Sequence, residues 1–265
     1  MKTFRTVKVS DPLYERDHLR FVTVKSPALG GRGDITLFVP PNCTHSKNLP
    51  LVILLHGVYG SHWSWTHAGG AHVTALEMIE KGAINPLILA MPSDGLWGDG
   101  SAYIPHVHAD YERWIVEDVP DCVREVVPQI GTESKLCISG LSMGGYGALR
   151  LGAKYAQRFA AISAHSSLTH LKTLVQFVEE PLDRYGPMKD EEYSAAHWIL
   201  KQREHLPRLR FDCGREDALL AENRALHAAL ESANIAHQYE EFPGGHQWEY
   251  WREHLRETLR FFDGV

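Results

Sequence analysis

The sequence predicts an α/β fold in which helices cover both faces of a mostly parallel central sheet. From Leu49 onward, short apolar runs alternate with segments of helical periodicity, as expected for repeated βα units around a buried sheet. Before that point, residues 18–27 and 34–40 are rich in β-forming residues and flank a glycine-rich stretch. We therefore expect an antiparallel hairpin at the N-terminal side of the sheet.

Each later element follows from its own pattern. The predicted strands of the parallel part are apolar runs that end in turn-forming or polar residues: 51–57, 86–92, 135–142, 159–167, 208–214 and 237–245. The predicted helices carry apolar residues at three- and four-residue spacing: 74–81, 112–127, 145–155, 219–233 and 248–262. Residues 168–205 are longer than an ordinary connection, so we expect a single domain over residues 1–265 with a small insertion there.

The composition excludes several classes of protein. Among 265 residues, 27 are basic and 33 acidic, so the net charge of −6 offers no positive field for a nucleic acid. No run of about 18 apolar residues is present, and the first residues lack the apolar stretch of a secretory signal. We expect a cytoplasmic protein that binds no membrane. The four cysteines form no CxxC pair and are expected to be free thiols.

A G-x-S-x-G motif, Gly140-Leu141-Ser142-Met143-Gly144, lies between an apolar strand and a predicted helix. This context is typical of a nucleophile elbow, where a serine occupies a sharp, strained turn and flanking glycines avoid steric clashes. The helix that follows directs its amides and the positive end of its dipole to the same point. We predict that Ser142 is the nucleophile of an acyl-transfer reaction. The alternative is a packing corner of small residues with an idle serine.

A serine nucleophile needs a base and an orienting acid, in the chain order Ser, acid, His. His246 lies in a loop at a strand end just before the last helix, and we predict that it is the base. Asp217, after the strand 208–214, is the predicted acid. Its rivals are the neighbouring Asp212 and Glu216 and, less favoured, Asp183 in the insertion. Asp217 could instead only cap the following helix.

Two amides are needed for the oxyanion, and the residue after the nucleophile, Met143, supplies one of them. The loop after strand 51–57 is the expected source of the other, with Val58 preferred and Gly57 or Tyr59 as alternates. Gly57, Tyr59 and Trp97 are the predicted substrate-binding residues.

Two further polar stretches have competing interpretations. Residues 93–101 contain three glycines with Asp94 and Asp99, and a pocket loop is favoured over a calcium-binding turn because the spacing is not that of an EF-hand. His106, His108 and Asp110 could bind zinc on one face of an extended segment. No fourth ligand is evident, so we predict no metal site.

Several segments resemble the esterase D / S-formylglutathione hydrolase-like family of α/β-hydrolases: HGVYGSHWSW, AMPSDGLWGDGSAY, GLSMGGYGAL, CGREDALL and GGHQWEYW. The likeness extends over nearly the whole chain and is nearest to the tributyrin-esterase type. It implies an α/β-hydrolase fold, the triad Ser142, Asp217 and His246, an oxyanion hole at Val58 and Met143, and ester or thioester hydrolysis without a cofactor. S-formylglutathione hydrolases usually carry a cysteine soon after His-Gly and a histidine before the nucleophile, where this chain has Tyr59-Gly60-Ser61 and Leu141.

The expected function is therefore that of a serine carboxylesterase that hydrolyses short-chain acyl esters of small molecules through an acyl-enzyme. Thioester hydrolysis, a feruloyl or acetyl-carbohydrate esterase and acyl transfer to an alcohol remain alternatives. Two alternatives come from other classes: a non-catalytic binding module on the same scaffold, and a metal-dependent hydrolase. The sequence leaves open whether the chain forms a homo-oligomer.

Overall fold

The structure is a computed structural model that describes residues 4–265. Within these residues the strands are β1 (Val7–Val9), β2 (Leu19–Ser26), β3 (Gly31–Phe38), β4 (Leu51–Leu55), β5 (Ile88–Pro92), β6 (Leu136–Leu141), β7 (Ala161–His165), β8 (Arg208–Gly214) and β9 (Gln238–Phe242). The α-helices are α1 (Ser64–His67), α2 (Ala71–Glu80), α3 (Tyr111–Arg113), α4 (Val119–Val126), α5 (Met143–Lys154), α6 (Ala195–Lys201), α7 (Leu220–Ser232) and α8 (Trp248–Phe262).

The strands form a mixed sheet in the order β1-β2-β3-β5-β4-β6-β7-β8-β9. Strands β4 to β9 pair in parallel, whereas β1, β2 and β3 are antiparallel, with β3 antiparallel to β5. The predicted fold class, including the N-terminal hairpin, is confirmed. The strand order changes direction at β4, because the next strand in the chain, β5, lies on one side of it and β6 lies on the other. Leu55 at the end of β4 lies opposite Gly140 of β6. Ligands of open α/β sheets bind at such a point, beyond the carboxyl ends of the strands.

Alternate side chains of the buried strands face two separate apolar clusters, one on each side of the sheet. In β4, Leu51, Ile53 and Leu55 pack into the cluster that includes residues of α4, α5, α6 and α7. Val52 and Leu54 pack into the other cluster, with α1, α2 and α8. A strand buried on both faces therefore reads as the continuous apolar run seen in the sequence.

One predicted helix is interrupted. The segment predicted as a helix over 112–127 consists of α3, a π-helical turn over Trp114–Asp118, and α4. Pro120 has no amide to donate to the carbonyl oxygen of Val116, which instead accepts a hydrogen bond from Arg158 Nη1 at 3.0 Å. The proline therefore accounts for the break in the α-helical ladder.

The segment 168–205 contains three 3₁₀ turns, Leu171–Gln176, Leu182–Arg184 and Asp190–Tyr193, followed by α6. Its role as an insertion in a single domain stays a prediction. The first turn is followed by Phe177, which reaches the candidate site described below. Among the helices of residues 4–265, none has the length and hydrophobicity needed to cross a membrane.

Candidate active site

Ser142 occupies a strained turn between β6 and α5. Its φ and ψ angles are 54° and −121°, outside the regions that residues with a side chain favour. The flanking glycines make this turn possible. A Cβ atom at Gly140 would lie 2.2 Å from the carbonyl oxygen of Gly144, and one at Gly144 would lie 2.3 Å from that of Leu55. The G-x-S-x-G pattern is therefore required by close contacts between backbones at the carboxyl ends of β4 and β6.

The structure brings the three predicted catalytic residues into one hydrogen-bonded line. His246 Nε2 lies 2.9 Å from Ser142 Oγ, and His246 Nδ1 lies 2.9 Å from Asp217 Oδ2. Ser142 and Asp217 are buried, whereas the side chain of His246 is 24% exposed. The imidazole can therefore exchange a proton with the serine hydroxyl while the carboxylate holds its opposite nitrogen.

Asp217 is held in its ionised form by its surroundings. Burial raises the pKa of this carboxyl group, but hydrogen bonds from His246 and from the amide of Leu219 outweigh the burial, so the pKa lies below its ordinary value. The Leu219 amide precedes α7, whose N-cap residue is Leu219 and which has no side-chain cap, so the structure gives Asp217 the contact with His246 and not the alternative capping role. An ionised carboxylate is the form that accepts a hydrogen bond from imidazole Nδ1–H.

The rival acids lie elsewhere. Asp212 is fully buried in a different hydrogen-bond network, and Glu216 accepts from the amide of Gly244. Asp183 is exposed on the segment 168–205. Of the four acidic residues considered, Asp217 is the one in contact with His246.

The amides of Val58 and Met143 donate no hydrogen bond to any of the residues 4–265. Met143 is the first residue of α5, so its amide is one of those that a helix leaves unpaired at its N-terminus. The amide of Gly57 is also unpaired within the described residues, whereas that of Tyr59 donates to the carbonyl oxygen of Asp99 at 2.8 Å. Of the two alternatives to Val58, Tyr59 is therefore the one whose amide is not available to an oxyanion.

A cavity of about 570 Å³ opens at Ser142. It is lined by Gly57, Val58, Tyr59, Gly60, Trp63, Ser64, Ala68, Leu141, Ser142, Phe177, His246, Gln247, Trp248, Glu249 and Trp251. Five of these side chains are Phe, Tyr or Trp. Glu249 is the one residue of the types Asp, Glu, Lys and Arg among them. The size is that of a site for a small molecule.

Of the predicted substrate-binding residues, Gly57 and Tyr59 line this cavity and Trp97 does not. Trp97 packs edge-on against His106 and Tyr185, with ring centroids 4.4 and 5.0 Å away. The sequence places Trp97 in a loop after a strand end, but it cannot show which way the ring turns. The structure packs this ring against the apolar core and not into the cavity.

Three other aromatic residues, Trp63, Trp65 and Tyr103, also differ in whether they line the cavity. Trp63 is 46% exposed and lines the cavity. Trp65 is buried and donates to the carbonyl oxygen of Leu55, and Tyr103 is buried and donates to that of His56. Of these three residues, Trp63 is therefore the one that lines the cavity.

The lining residues that the sequence analysis did not name as site residues include Leu141, Phe177, Trp248 and Trp251. Phe177 packs nearly parallel to the His246 ring, and Trp251 packs edge-on against the same ring, 5.0 Å away. The tryptophans follow His246 closely in sequence, which was an available signal. Nothing local distinguishes Phe177, because it comes from a distant segment of the chain.

The acidic residues of the two polar stretches accept hydrogen bonds from backbone amides. Asp94 accepts from the amides of Leu96 and Ser101, and Asp99 accepts from the amide of Glu179. Asp110 caps α3 by accepting from the amide of Arg113. Within residues 4–265 no group of three or more His, Cys, Asp or Glu side chains is arranged to hold a metal ion.

Comparison with known proteins finds similarity over most of the chain. The sequence profile of the family described as "Putative esterase" matches residues 26–262. An acetyl esterase of Caldicellulosiruptor saccharolyticus is 29% identical over 238 residues, which cover 83% of this chain and 85% of that protein.

Solved structures show the same fold. A ferulic acid esterase superimposes with a TM-score of 0.79 at 24% identity, covering 97% of this chain and 98% of the other. A fluorophosphonate-binding serine hydrolase of Staphylococcus aureus superimposes with a TM-score of 0.78 at 22% identity, covering 92% of this chain and 97% of the other. The chain therefore belongs to this esterase family of the α/β-hydrolase fold and is a carboxylic ester hydrolase.

Proposed function

We propose that the chain hydrolyses short-chain esters of uncharged small molecules through an acyl-enzyme on Ser142. The observation that carries this proposal is the line from Ser142 Oγ through His246 to Asp217, with 2.9 Å at each hydrogen bond. A non-catalytic binding module would have no need for a strained serine held against an imidazole.

The proposed reaction has two halves. Ser142 Oγ attacks the ester carbonyl while His246 Nε2 takes its proton, and the tetrahedral oxyanion accepts hydrogen bonds from the amides of Val58 and Met143. His246 then returns the proton to the leaving alcohol. Water attacks the resulting acyl-enzyme in the same way, and the carboxylic acid leaves as the serine regains its proton.

The cavity lining supports an uncharged substrate. Among residues 4–265, no lysine or arginine lines the cavity, and Glu249 contributes a carboxylate. Burying an anionic substrate group without a counter-ion is unfavourable. A substrate with carboxylates on its leaving group, such as a glutathione thioester, is therefore expected to bind less well than an alkyl, aryl or acetylated sugar ester.

A second candidate, an esterase for ring-bearing substrates, is favoured by the aromatic lining. Trp63 and Trp248 offer faces on which an aromatic acid or a sugar ring can pack. The acetyl esterase relative and the ferulic acid esterase of similar fold make both kinds of ester worth testing on this chain.

A fluorophosphonate probe tests the catalytic assignment directly. We expect one covalent adduct per chain, located at Ser142 by peptide mass spectrometry, and none in Ser142→Ala. A folded wild-type protein that takes up no probe would contradict the proposal. Activity that EDTA abolishes would point to the metal-dependent alternative.

A substrate panel then tests the specificity. Acetyl, butyryl and feruloyl esters should give higher kcat/KM values than S-formylglutathione. Added alcohol acceptors separate hydrolysis from acyl transfer, because transfer would give a new ester in place of the free acid. A clear preference for S-formylglutathione would overturn the proposed substrate class while leaving the role of Ser142 intact.

A further inference from the structure

A second array of the triad type lies inside the protein, between the sheet and α8. Thr258 Oγ1 lies 2.9 Å from His165 Nε2, and His165 Nδ1 lies 2.9 Å from Asp212 Oδ2. All three residues have no exposed surface. No substrate can reach this threonine, so the array has no direct part in the proposed reaction.

The array is charged and fully connected. Burial raises the pKa of Asp212, but His165 and Arg210 outweigh it, so the pKa falls to about 2 and the group is ionised. The carboxylate also accepts from Tyr250 Oη at 2.8 Å and from Arg210 Nη1 at 2.6 Å. Since an ionised carboxylate only accepts, His165 Nδ1 carries the proton that it donates to Asp212.

The same residues hold the three parts of the backbone that carry the proposed catalytic groups. The carbonyl oxygen of His165 accepts from the amide of Ser142 at 3.0 Å. Asp212 lies in β8, and the loop after this strand carries Asp217. Tyr250 and Thr258 lie in α8, which begins two residues after His246.

Stability alone is a weak explanation for such a network. A buried ion pair often contributes no more than well-packed apolar residues of similar size, because desolvation offsets the attraction. Hydrogen bonds do fix the relative positions of the groups that they join, because each one has a narrow range of lengths and angles. A network that joins β7, β8 and α8 therefore constrains where α8 begins.

We propose that Tyr250, Thr258, His165 and Asp212 form a positioning unit that sets the place of His246 relative to Ser142. The inference rests on the proposed function, because it assumes that His246 serves Ser142. The four are positioning residues, since none of them touches the cavity at Ser142. A misplacement of about 1 Å at a reacting group can cost roughly 100-fold in rate.

The test removes single hydroxyl groups and follows esterase kinetics. Tyr250→Phe removes the hydrogen bond to Asp212, and Thr258→Val removes a hydroxyl that lies within hydrogen-bond distance of His165, Ser163 and Arg210. Thr258→Ser keeps that hydroxyl. The matched control is Tyr155→Phe. Tyr155 donates to Glu112, a buried carboxylate that is paired with Arg150, but it lies 13 residues after Ser142, about 20 Å along α5.

We expect Tyr250→Phe and Thr258→Val to lower kcat about 10- to 100-fold, with KM changed less than about twofold. The rate of fluorophosphonate labelling should fall in parallel, because it reports the reactivity of Ser142. Thr258→Ser should stay within about threefold of the wild type. Tyr155→Phe should keep its kcat even where its melting temperature falls as much as that of Tyr250→Phe.

Two results would overturn the inference: wild-type kcat in both Tyr250→Phe and Thr258→Val, or an equal loss of kcat in Tyr155→Phe. The second would show that general destabilisation explains the loss. Ser142→Ala separates these failures from a failure of the proposed function. If that variant keeps esterase activity, the assignment of Ser142 is wrong, whereas an inactive Ser142→Ala beside a fully active Tyr250→Phe rejects the positioning role alone.

Discussion

Two hydroxyl–imidazole–carboxylate arrays lie in this molecule, with hydrogen bonds of the same length. In Ser142–His246–Asp217 and in Thr258–His165–Asp212, both the hydroxyl–Nε2 and the Nδ1–carboxylate distances are 2.9 Å. The first opens to a cavity and the second has no exposed surface. Triad geometry by itself therefore does not identify an active site.

The surroundings of the two hydroxyl groups make the difference. Ser142 occupies a turn with φ of 54°, beside the amides of Val58 and Met143, which donate no hydrogen bond within the described part of the chain. Thr258 lies within a regular helix and is surrounded by Ser163, Arg210 and His165, all of which are near its hydroxyl. A reacting carbonyl group would find space and oxyanion donors at the first hydroxyl and neither at the second.

The largest expected contrast is between the two hydroxyl groups. Ser142→Ala should lower kcat for p-nitrophenyl acetate or butyrate by roughly 10³- to 10⁶-fold, because the nucleophile is lost. Thr258→Val should lose at most about 100-fold. Steady-state assays on both purified variants check this, and a similar loss in the two would erase the distinction between the arrays.

The two carboxylates should differ in what they affect. Asp217→Asn should reduce kcat by roughly 10²- to 10⁴-fold, because an amide cannot hold the imidazole tautomer as the carboxylate does. Thermal unfolding of this variant should change less than that of Asp212→Asn, because Asp217 is paired with the half-buried His246 and Asp212 with the buried Arg210. Near-normal turnover would reject Asp217 as the orienting acid, and Glu216→Gln is the matched control that should remain active.

Asp212→Asn should act first on stability. The substitution leaves Arg210 without the buried carboxylate that lies 2.6 Å from its guanidinium, and breaking a buried pair in this way typically costs about 3–5 kcal/mol. Glu240, which is 45% exposed, remains as a partner for Arg210, so we expect the lower end of this range. Urea unfolding at neutral pH measures the loss, and an unchanged midpoint would contradict it.

The lowered pKa of Asp212 predicts how the free energy of unfolding changes in acid. The folded-state pKa of Asp212 is about 2, below its ordinary value of 3.8, so its stabilising effect is present above pH 4 and is lost as the pH falls towards 2. The shift corresponds to about 2 kcal/mol. The difference in unfolding free energy between the wild type and Asp212→Asn should therefore become smaller between pH 4 and pH 2. A difference that stays constant over this pH range would contradict the lowered pKa of Asp212.

The smallest predicted effect lies at the cavity wall. Trp63→Ala removes an aromatic face that is 46% exposed, so KM for a feruloyl ester should rise about 3- to 10-fold with kcat nearly unchanged. KM for an acetyl ester should change less, because it has no ring to pack there. The matched control is Trp97→Phe, which alters an aromatic residue outside the cavity and should leave both KM values unchanged.

Much of the candidate site could be read from the sequence because its constraints are local. The elbow depends on glycines within two residues of Ser142, and the contacts at Gly140 and Gly144 show why no larger residue fits. The strands buried on both faces needed continuous apolar runs, so their number and order along the chain were visible. The π-helical turn before α4 was missed, although Pro120 was a local signal for it.

The sequence alone thus determined the α/β class, the strand-turn-helix around Ser142 and the candidates for base and acid, because each rests on short-range sterics or periodicity. Only the tertiary structure decided that Asp217 and not Asp212 meets His246, and that Phe177 and not Trp97 faces the cavity. These choices depend on which distant segments meet when the sheet and its helices pack. Asp212 and Asp217 are five residues apart, on one strand and the loop after it, and have the same side-chain chemistry. Only their positions in the packed molecule show that Asp217 contacts His246 and that Asp212 belongs to the buried network.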